Sequence, residues 1–309
     1  MRPDRKFFAG ALLACGILFA TDTVERPFQG VVHIRRTETE PRGLHIHIVK
    51  VDLAAPGVRF KLTPPSGTRE TVRQTTLDFL KQEQAQVAVN GHFFVPFPSA
   101  DTEVNLVGFA ASMGTVYSSF EDPVQSYAIV ARAPALNIDP SNRAEIVHYD
   151  PSFEDGRRLI EPVTIGNAIA GSAQIVTNGA KTVPHYSGPE NLFALLTPGG
   201  PNGYSNAKSW YDVLQARTAI GLSHDNRTLY LFTVDVRGGS AGMSLPEVAD
   251  MLIREGVYQA LNLDGGGSTT MAMEDPATRV RSIVNVSSDN PNGRSVGSSL
   301  ALFAEPAVQ

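Results

Sequence analysis

The sequence predicts an α+β fold, a mixed and curved β-sheet with helices packed on it and at least one βαβ unit near the C-terminus. Three observations predict it. Short apolar runs bounded by turn residues recur from residue 44 onward, as strands do. Two stretches, 71–83 and the one between Ser244 and Gly256, repeat apolar residues at helical spacing. Between 228 and 264 the order is apolar run, glycine-rich break, amphipathic helix, apolar run.

Residues 44–53 (LHIHIVKVDL) read as a strand, followed by the turn Ala55-Pro56-Gly57 and a second strand near Val58–Leu62. Helical spacing over 71–83 puts Val72, Thr76, Phe79 and Leu80 on one face. Ala85 to Val89 is a short apolar strand running into Asn90-Gly91-His92-Phe93-Phe94. Residues 95–160, rich in Pro, Ser, Asp and Asn, read as a loop-rich insertion of hairpins around the core.

Leu229 to Val236 is an apolar strand broken by Gly238-Gly239-Ser240-Ala241-Gly242. Ser244 and Glu247 form a capping box, and the helix behind it presents Leu245, Val248, Met251 and Leu252. Gly256 stops that helix, and Val257 to Leu263 is the next strand. The unit predicts parallel strands with a right-handed crossover. Their C-terminal ends then share one sheet edge, where α/β proteins place their sites. Asp235 and Arg237 close the first strand, and Asn262 and Asp264 the second, each pair on one face by its spacing of two.

The N-terminus has a different character. Arg2, Arg5 and Lys6 precede an apolar stretch from Phe7 to Ala20, too short to cross a membrane and suited to a secretory leader. Leu12-Leu13-Ala14-Cys15 has the form of a lipobox. We therefore divide the chain into 1–22, a signal peptide or lipoprotein signal, and 23–309, one domain. The expected location is exported: periplasmic, surface-attached or secreted. Any membrane contact is expected only through an N-terminal lipid or anchor.

Cys15 is the single cysteine, so the domain after it has neither disulfide nor cysteine nucleophile. A net charge of −5 without a basic run leaves no electrostatic footprint for nucleic acid. His45 and His47 share a strand face but have no third metal ligand nearby. No metal or cofactor is expected. The one alternative is a divalent cation such as calcium on the hard oxygens of Asp235, Asp264 and Asp289.

Gly265-Gly266-Gly267 after a strand is either an anion nest of backbone N–H groups or a tight turn. Gly238 to Gly242 fits the G-x-S-x-G serine-hydrolase pattern, yet no histidine follows Ser240 as that chain order requires. His92, at a strand end in a glycine-aromatic turn, has a catalytic and a structural reading of equal weight.

Asn90-Gly91-His92-Phe93-Phe94, Arg217-Thr218-Ala219-Ile220-Gly221 and Asn262-Leu263-Asp264-Gly265-Gly266-Gly267-Ser268-Thr269 resemble the signature blocks of phosphodiester glycosidases. A fourth block, Val284-Asn285 through Asp289 with Arg294 and the closing strand Ser299–Phe303, is similar too. Fainter likeness covers the early strands and Asn167 to Gly171, so the resemblance spans about residues 28–305. One departure is Val236, where the family often carries glycine between the Asp and the Arg.

The resemblance implies hydrolysis of a sugar-1-phosphodiester, releasing sugar and a phosphomonoester from envelope or extracellular glycans. It implies Asp264 as first catalytic candidate and Asp235 as second. Asn90, Gly91, His92, Arg217, Thr218, Arg237, Asn262, Gly265, Gly266, Gly267, Ser268, Asn285, Asp289 and Arg294 are the candidates for substrate and phosphate binding. Guanidinium forks match phosphate oxygens, which suits Arg217, Arg237 and Arg294 to a clamp if they converge. Two rival readings stand beside it: an ordinary glycosidase using paired Asp235 and Asp264, and a non-catalytic exopolysaccharide-binding protein. The latter wants exposed aromatic platforms, and Trp210 is the sole tryptophan.

Overall fold

A computed structural model describes residues 20–120, 132–150, 152, 159–183 and 212–307. Cys15, with most of the predicted leader, and Trp210 lie outside the described residues. Strand accounts for 44% of the structure and helix for 9%. The α+β expectation is therefore corrected: this is a mostly antiparallel β architecture with two described α-helices as covers.

The largest sheet runs β1 (Ala20–Phe28), β2 (Val31–Glu38), β3 (Leu44–Asp52), β18 (Thr228–Val234), β17 (Arg217–Leu222), β19 (Gln259–Asn262), β15 (Ala173–Thr177), β16 (Ala180–Lys181). A second runs β21 (Arg281–Ile283), β20 (Met271–Glu274), β7 (Val87–Asn90), β23 (Ser299–Phe303), β4 (Arg59–Leu62). A third runs β11 (Thr115–Ser118), β10 (Ala110–Ser112), β14 (Asn167–Ala170), β12 (Ala135–Ile138), β13 (Ala144–Val147). Short pairings join β22 (Ser295–Val296) to β6 (Gln74–Thr75), and β5 (Thr71–Val72) through β9 (Glu103–Leu106) to β8 (Phe94–Val95).

The βαβ expectation is corrected in its pairing. β18 and β19 do run the same way, because each is antiparallel to β17. They are not neighbours, since β17 lies between them. An apolar run buried on both faces carries no record of which strand it pairs with, so the crossover pattern gave the direction of the two strands and not their neighbours.

Strand alternation builds the layers. Val49 and Val51 of β3, Val87 and Val89 of β7, and Leu300 and Leu302 of β23 meet in one core between the first two sheets. The opposite face of the large sheet, with Ile46, Ile48, Phe232 and Val234, is covered by α2 (Leu245–Arg254) through Val248, Met251 and Leu252. Ala88, Ala301 and Phe303, on the far face of the second sheet, are covered by α1 (Thr76–Glu83) through Phe79 and Leu80. Both sheets are thus apolar on both sides, as sheets in a layered fold must be.

Helix α1 starts later than its apolar spacing suggests. Thr75 caps it by accepting from the Asp78 amide at 3.0 Å, while Thr71–Val72 and Gln74–Thr75 are held in strand pairings. At α2 the predicted capping box is present, with Glu247 accepting from the Ser244 amide at 2.8 Å, and Gly256 follows with φ +95°.

Asn167 ties the second and third sheets. Its Oδ1 accepts from the amides of Leu62 (3.0 Å) and Met113 (3.2 Å), and its Nδ2 donates to Phe60 O (3.1 Å). Asn167→Ala should leave three backbone groups unpaired and lower unfolding free energy by about 3 kcal/mol, measured by urea denaturation. A loss below about 1 kcal/mol would mean that water replaces the amide and the tie is dispensable.

Candidate functional site

The site forms where the C-terminal ends of β7, β18 and β19 meet the start of β17. Asn90, the last residue of β7, is fully buried, and its amide has three partners. Nδ2 donates to Asp264 O (2.7 Å), and Oδ1 accepts from Thr218 Oγ1 (2.8 Å) and the Thr270 amide (3.0 Å). Gly91 O accepts from the Asp264 amide at 3.0 Å. These bonds join the two facing sheets and fix where the chain bearing Asp264 leaves β19. A side chain at Gly91 would meet Ser298 Oγ at 2.6 Å, so that close approach requires glycine.

Asp264 is 8% exposed and makes no ion pair among the described residues. Burial pushes its carboxyl up to about 7, against opposing effects of a Ser268 hydrogen bond, the nearby Arg294 charge and the Gly265 amide. Arg294 in turn donates Nε to Asp289 Oδ2 (2.9 Å), and its Nη1 lies 3.5 Å from Ser268 Oγ. Asp264, Ser268, Arg294 and Asp289, all expected at the site, thus form one connected group.

Asp235 is 1% exposed. Its oxygens accept from Asn285 Nδ2 and the Val286 amide, both at 3.0 Å. Burial raises its pKa, and the two hydrogen bonds oppose the rise. Asn285 also accepts from the Met271 amide at 2.8 Å, so this pair locks the 285–286 segment onto the sheet edge.

The three predicted arginines do not share one role. Arg217 is 4% exposed, with Nε on Met243 O (3.1 Å) and Nη2 on Val213 O (2.6 Å). Burial pulls it down to about 10, which leaves it charged near neutrality. The chain turns immediately after Asp235, so Arg237 lies exposed instead of on the Asp235 face. Arg294 is the arginine placed at the Asp264 group.

The glycine run is a 3-10 turn, Gly266–Ser268, more than an open nest. The Gly266 amide donates to Ala216 O (2.7 Å) and the Ser268 amide to Gly265 O (3.2 Å). Gly266, at φ +60°, needs its glycine for conformation. His92 is buried completely, its ring nitrogens against Ser298 Oγ (2.8 Å), Phe109 O (3.1 Å) and the Ala170 amide (2.9 Å). Burial holds it down to about 4, so it is a neutral structural pin. Asn262 Nδ2 donates to Ser172 Oγ at 2.7 Å, and its Oδ1 has no hydrogen-bond partner among the described residues.

Ser240 is no nucleophile here: its Oγ donates to Asp235 O (2.6 Å) and accepts from the His45 amide (3.0 Å). His47 pairs with His33, Nδ1 to Nε2 at 3.0 Å, and not with a metal set including His45. Among the described residues no group of three or more His, Cys, Asp or Glu is arranged to hold a metal ion, so Asp235, Asp264 and Asp289 do not form one. Sequence reasoning missed Phe97, whose ring lies 4.8 Å under the Arg294 guanidinium, and Ser298, the partner of His92. An isolated Phe-Pro or Ser-Ser pair carries no signal for either.

A family profile described as phosphodiester glycosidase matches residues 83–303. Over 63 residues the chain is 44% identical to human N-acetylglucosamine-1-phosphodiester alpha-N-acetylglucosaminidase and 43% to the Bos taurus protein. That segment is 20% of this chain and spans only 12% of those relatives' length. In three dimensions the fold is similar to the catalytic domain of the zebrafish enzyme, auto-inhibited by its pro-peptide, with TM-score 0.59 and 21% identity. That likeness covers 94% of this chain and 85% of the zebrafish one. A hypothetical protein from Synechocystis is similar at TM-score 0.58 and 14% identity, over 89% of this chain and 62% of that one.

Asp264 binds a proton in the folded protein between pH values near 3.8 and 7 that the unfolded chain has released. Stability from this group therefore falls as pH rises through that window. The Asp264→Asn variant should gain thermal stability relative to wild type as pH goes from 4 to 8, by roughly 2–5 °C in thermal melts. An advantage that shrinks at pH 8 would contradict the raised pKa.

Proposed function

The chain belongs to the phosphodiester glycosidase family, a family of hydrolases, and on that premise we propose that it hydrolyses a sugar-1-phosphodiester. The glycosidic C1–O bond breaks, the phosphomonoester departs with the bonding electrons, and water adds at C1. The observation that carries this reading is Asp264, nearly buried with a raised pKa, linked through Ser268 to Arg294. A carboxylate with a structural ion pair would be lowered instead, and a perturbed acid beside a cation marks a site.

A phosphomonoester has a second pKa near 6, so it leaves without strong acid assistance and wants charge neutralisation more than a proton. Arg294 supplies that charge, and Ser268 offers its hydroxyl beside it. Asp264, once ionised, activates water or stabilises the oxocarbenium-like transition state. Asp235, with both oxygens engaged, holds the loop of Asn285 and Val286 in place.

The name of the mammalian relatives suggests N-acetylglucosamine as the sugar, and envelope or extracellular glycans as the setting extend that reading. Export rests on Arg2, Arg5, Lys6 and the apolar stretch to Ala20. No helix among the described residues is long and apolar enough to cross a membrane.

The full chain should release N-acetylglucosamine from an α-N-acetylglucosamine-1-phosphodiester, and Asp264→Asn should lower kcat by about 10²–10⁴. Because the carboxylate is the working form, kcat/KM, which follows the free enzyme, should fall as pH drops through about 7. Turnover of simple aryl glycosides alone would favour an ordinary glycosidase. A folded protein that turns over neither class while binding glycan would favour a binding protein.

A further inference from the structure

Arg294 differs from the other buried or half-buried arginines near the site in what its donors do. Arg217 gives Nε and Nη2 to backbone carbonyls. Arg73 gives Nε and Nη2 to Ser295 O and Nη1 to Ser99 O and Asp101 O. Arg294 gives Nε to Asp289 and one N–H of Nη1 to Ser268, leaving three of its five N–H donors with no partner among the described residues. The Arg294 side chain is 22% exposed, so it is not sealed from solvent.

What holds that fork still comes from three sides. The Asp289 carboxylate fixes Nε. The Phe97 ring lies under the plane, 4.8 Å from Cζ to centroid. On the remaining side is Gly267, where an added Cβ would lie 2.2 Å from Nη2 and 2.5 Å from Cζ. Any side chain there would expel the guanidinium. Gly267 is therefore glycine to make room for an arginine, a different reason from the close approach of an anion.

The support continues outward. Phe97 meets Phe94 edge-on at 5.6 Å, and Arg73 lies over Phe94 at 5.1 Å. Arg73 also pins the carbonyl of Ser295, the residue after Arg294, at 3.0 and 3.1 Å. Cation, ring, ring and cation follow one another in sequence, and ring faces attract guanidinium groups.

We propose that Phe97 and Gly267 are positioning residues which, with Asp289, hold the Arg294 guanidinium with its free donors turned to the phosphate of the substrate. This rests on the phosphodiester reading for the substrate, but the anion site itself is testable without turnover. The ring contributes shape and attraction that Leu cannot replace and Tyr can.

The test is inorganic phosphate binding to the full chain by titration calorimetry, with KM and kcat for the sugar phosphodiester measured in parallel. Thermal melts confirm that each variant is folded. Phe97→Leu should weaken phosphate roughly tenfold and raise KM by a similar factor with its melting temperature near wild type. Phe97→Tyr should restore both, whereas Gly267→Ala should weaken phosphate at least as much as Phe97→Leu. Phosphate affinity indifferent to Phe97→Leu, equal losses for Leu and Tyr, or no phosphate binding by the wild type would each overturn the cradle. Wild-type phosphate binding that follows Phe97 without turnover of any phosphodiester would support the cradle and sink the proposed reaction instead.

Discussion

Two sheets and the chain bearing Asp264 meet on one carboxamide, the side chain of Asn90. It is fully buried, and each of its three hydrogen bonds goes to a different part of the fold: the Asp264 carbonyl, the Thr218 hydroxyl on β17, and the Thr270 amide leading into β20. In a low-dielectric interior such a group is costly unless satisfied and rigid once it is. An apolar residue of the same size would leave the Thr270 amide and Asp264 carbonyl without partners. Asn90 thereby sets the exit direction of the chain after β19, and the glycine turn, Ser268 and the Arg294 contact all follow from that direction.

The same constraint explains why an antiparallel sheet gathers residues so far apart in the chain. β17 enters the sheet edge where β18 and β19 leave it, so Arg217 comes beside Gly265 although it begins its strand. A parallel β18–β19 pair would have brought those two exits together directly and left no place for β17. With β17 inserted, Ala216 O is free to accept the Gly266 amide at 2.7 Å, and the 3-10 turn is stapled to the neighbouring strand. The covers follow the same economy: α2 and α1 each close the outer face of one sheet, and no further helix layer is needed among the described residues.

Some of this was legible in the sequence for definite physical reasons. The strand at β3, the helix α2 with its Glu247 contact and the Gly256 stop are local features, written in periodicity and caps. The resemblance of four short blocks is what put Asp264, Ser268, Asp289 and Arg294 forward as candidates, and the structure places them in one connected group. Strand order was not legible, because apolar runs buried on both faces specify burial and not partner. Nor was the division among the arginines. Whether a guanidinium is spent on carbonyls, as at Arg217, exposed, as at Arg237, or half free, as at Arg294, depends on distant backbone that no motif encodes. Phe97 was invisible for the same reason: its partner lies almost two hundred residues away in sequence.

The two aspartates at the sheet edge show how environment separates like groups. Both are buried and both have raised pKa values, so burial alone does not distinguish them. Asp235 has each oxygen on a directed donor, Asn285 or Val286, and these donors belong to a loop that it immobilises. Asp264 has Ser268, a hydroxyl that also faces Arg294, so its charge is balanced by a side chain with donors to spare. Moving Asp235 would release a loop, whereas changing the charge on Asp264 alters a field acting on whatever Arg294 holds. An anion bound to Arg294 would offset that cation and push the Asp264 pKa further upward; its departure would lower it again. On the proposed function, substrate charge and the protonation of Asp264 would be coupled through one guanidinium, and the placement of Arg294, not the burial of Asp264 alone, would then be the feature on which the chemistry turns.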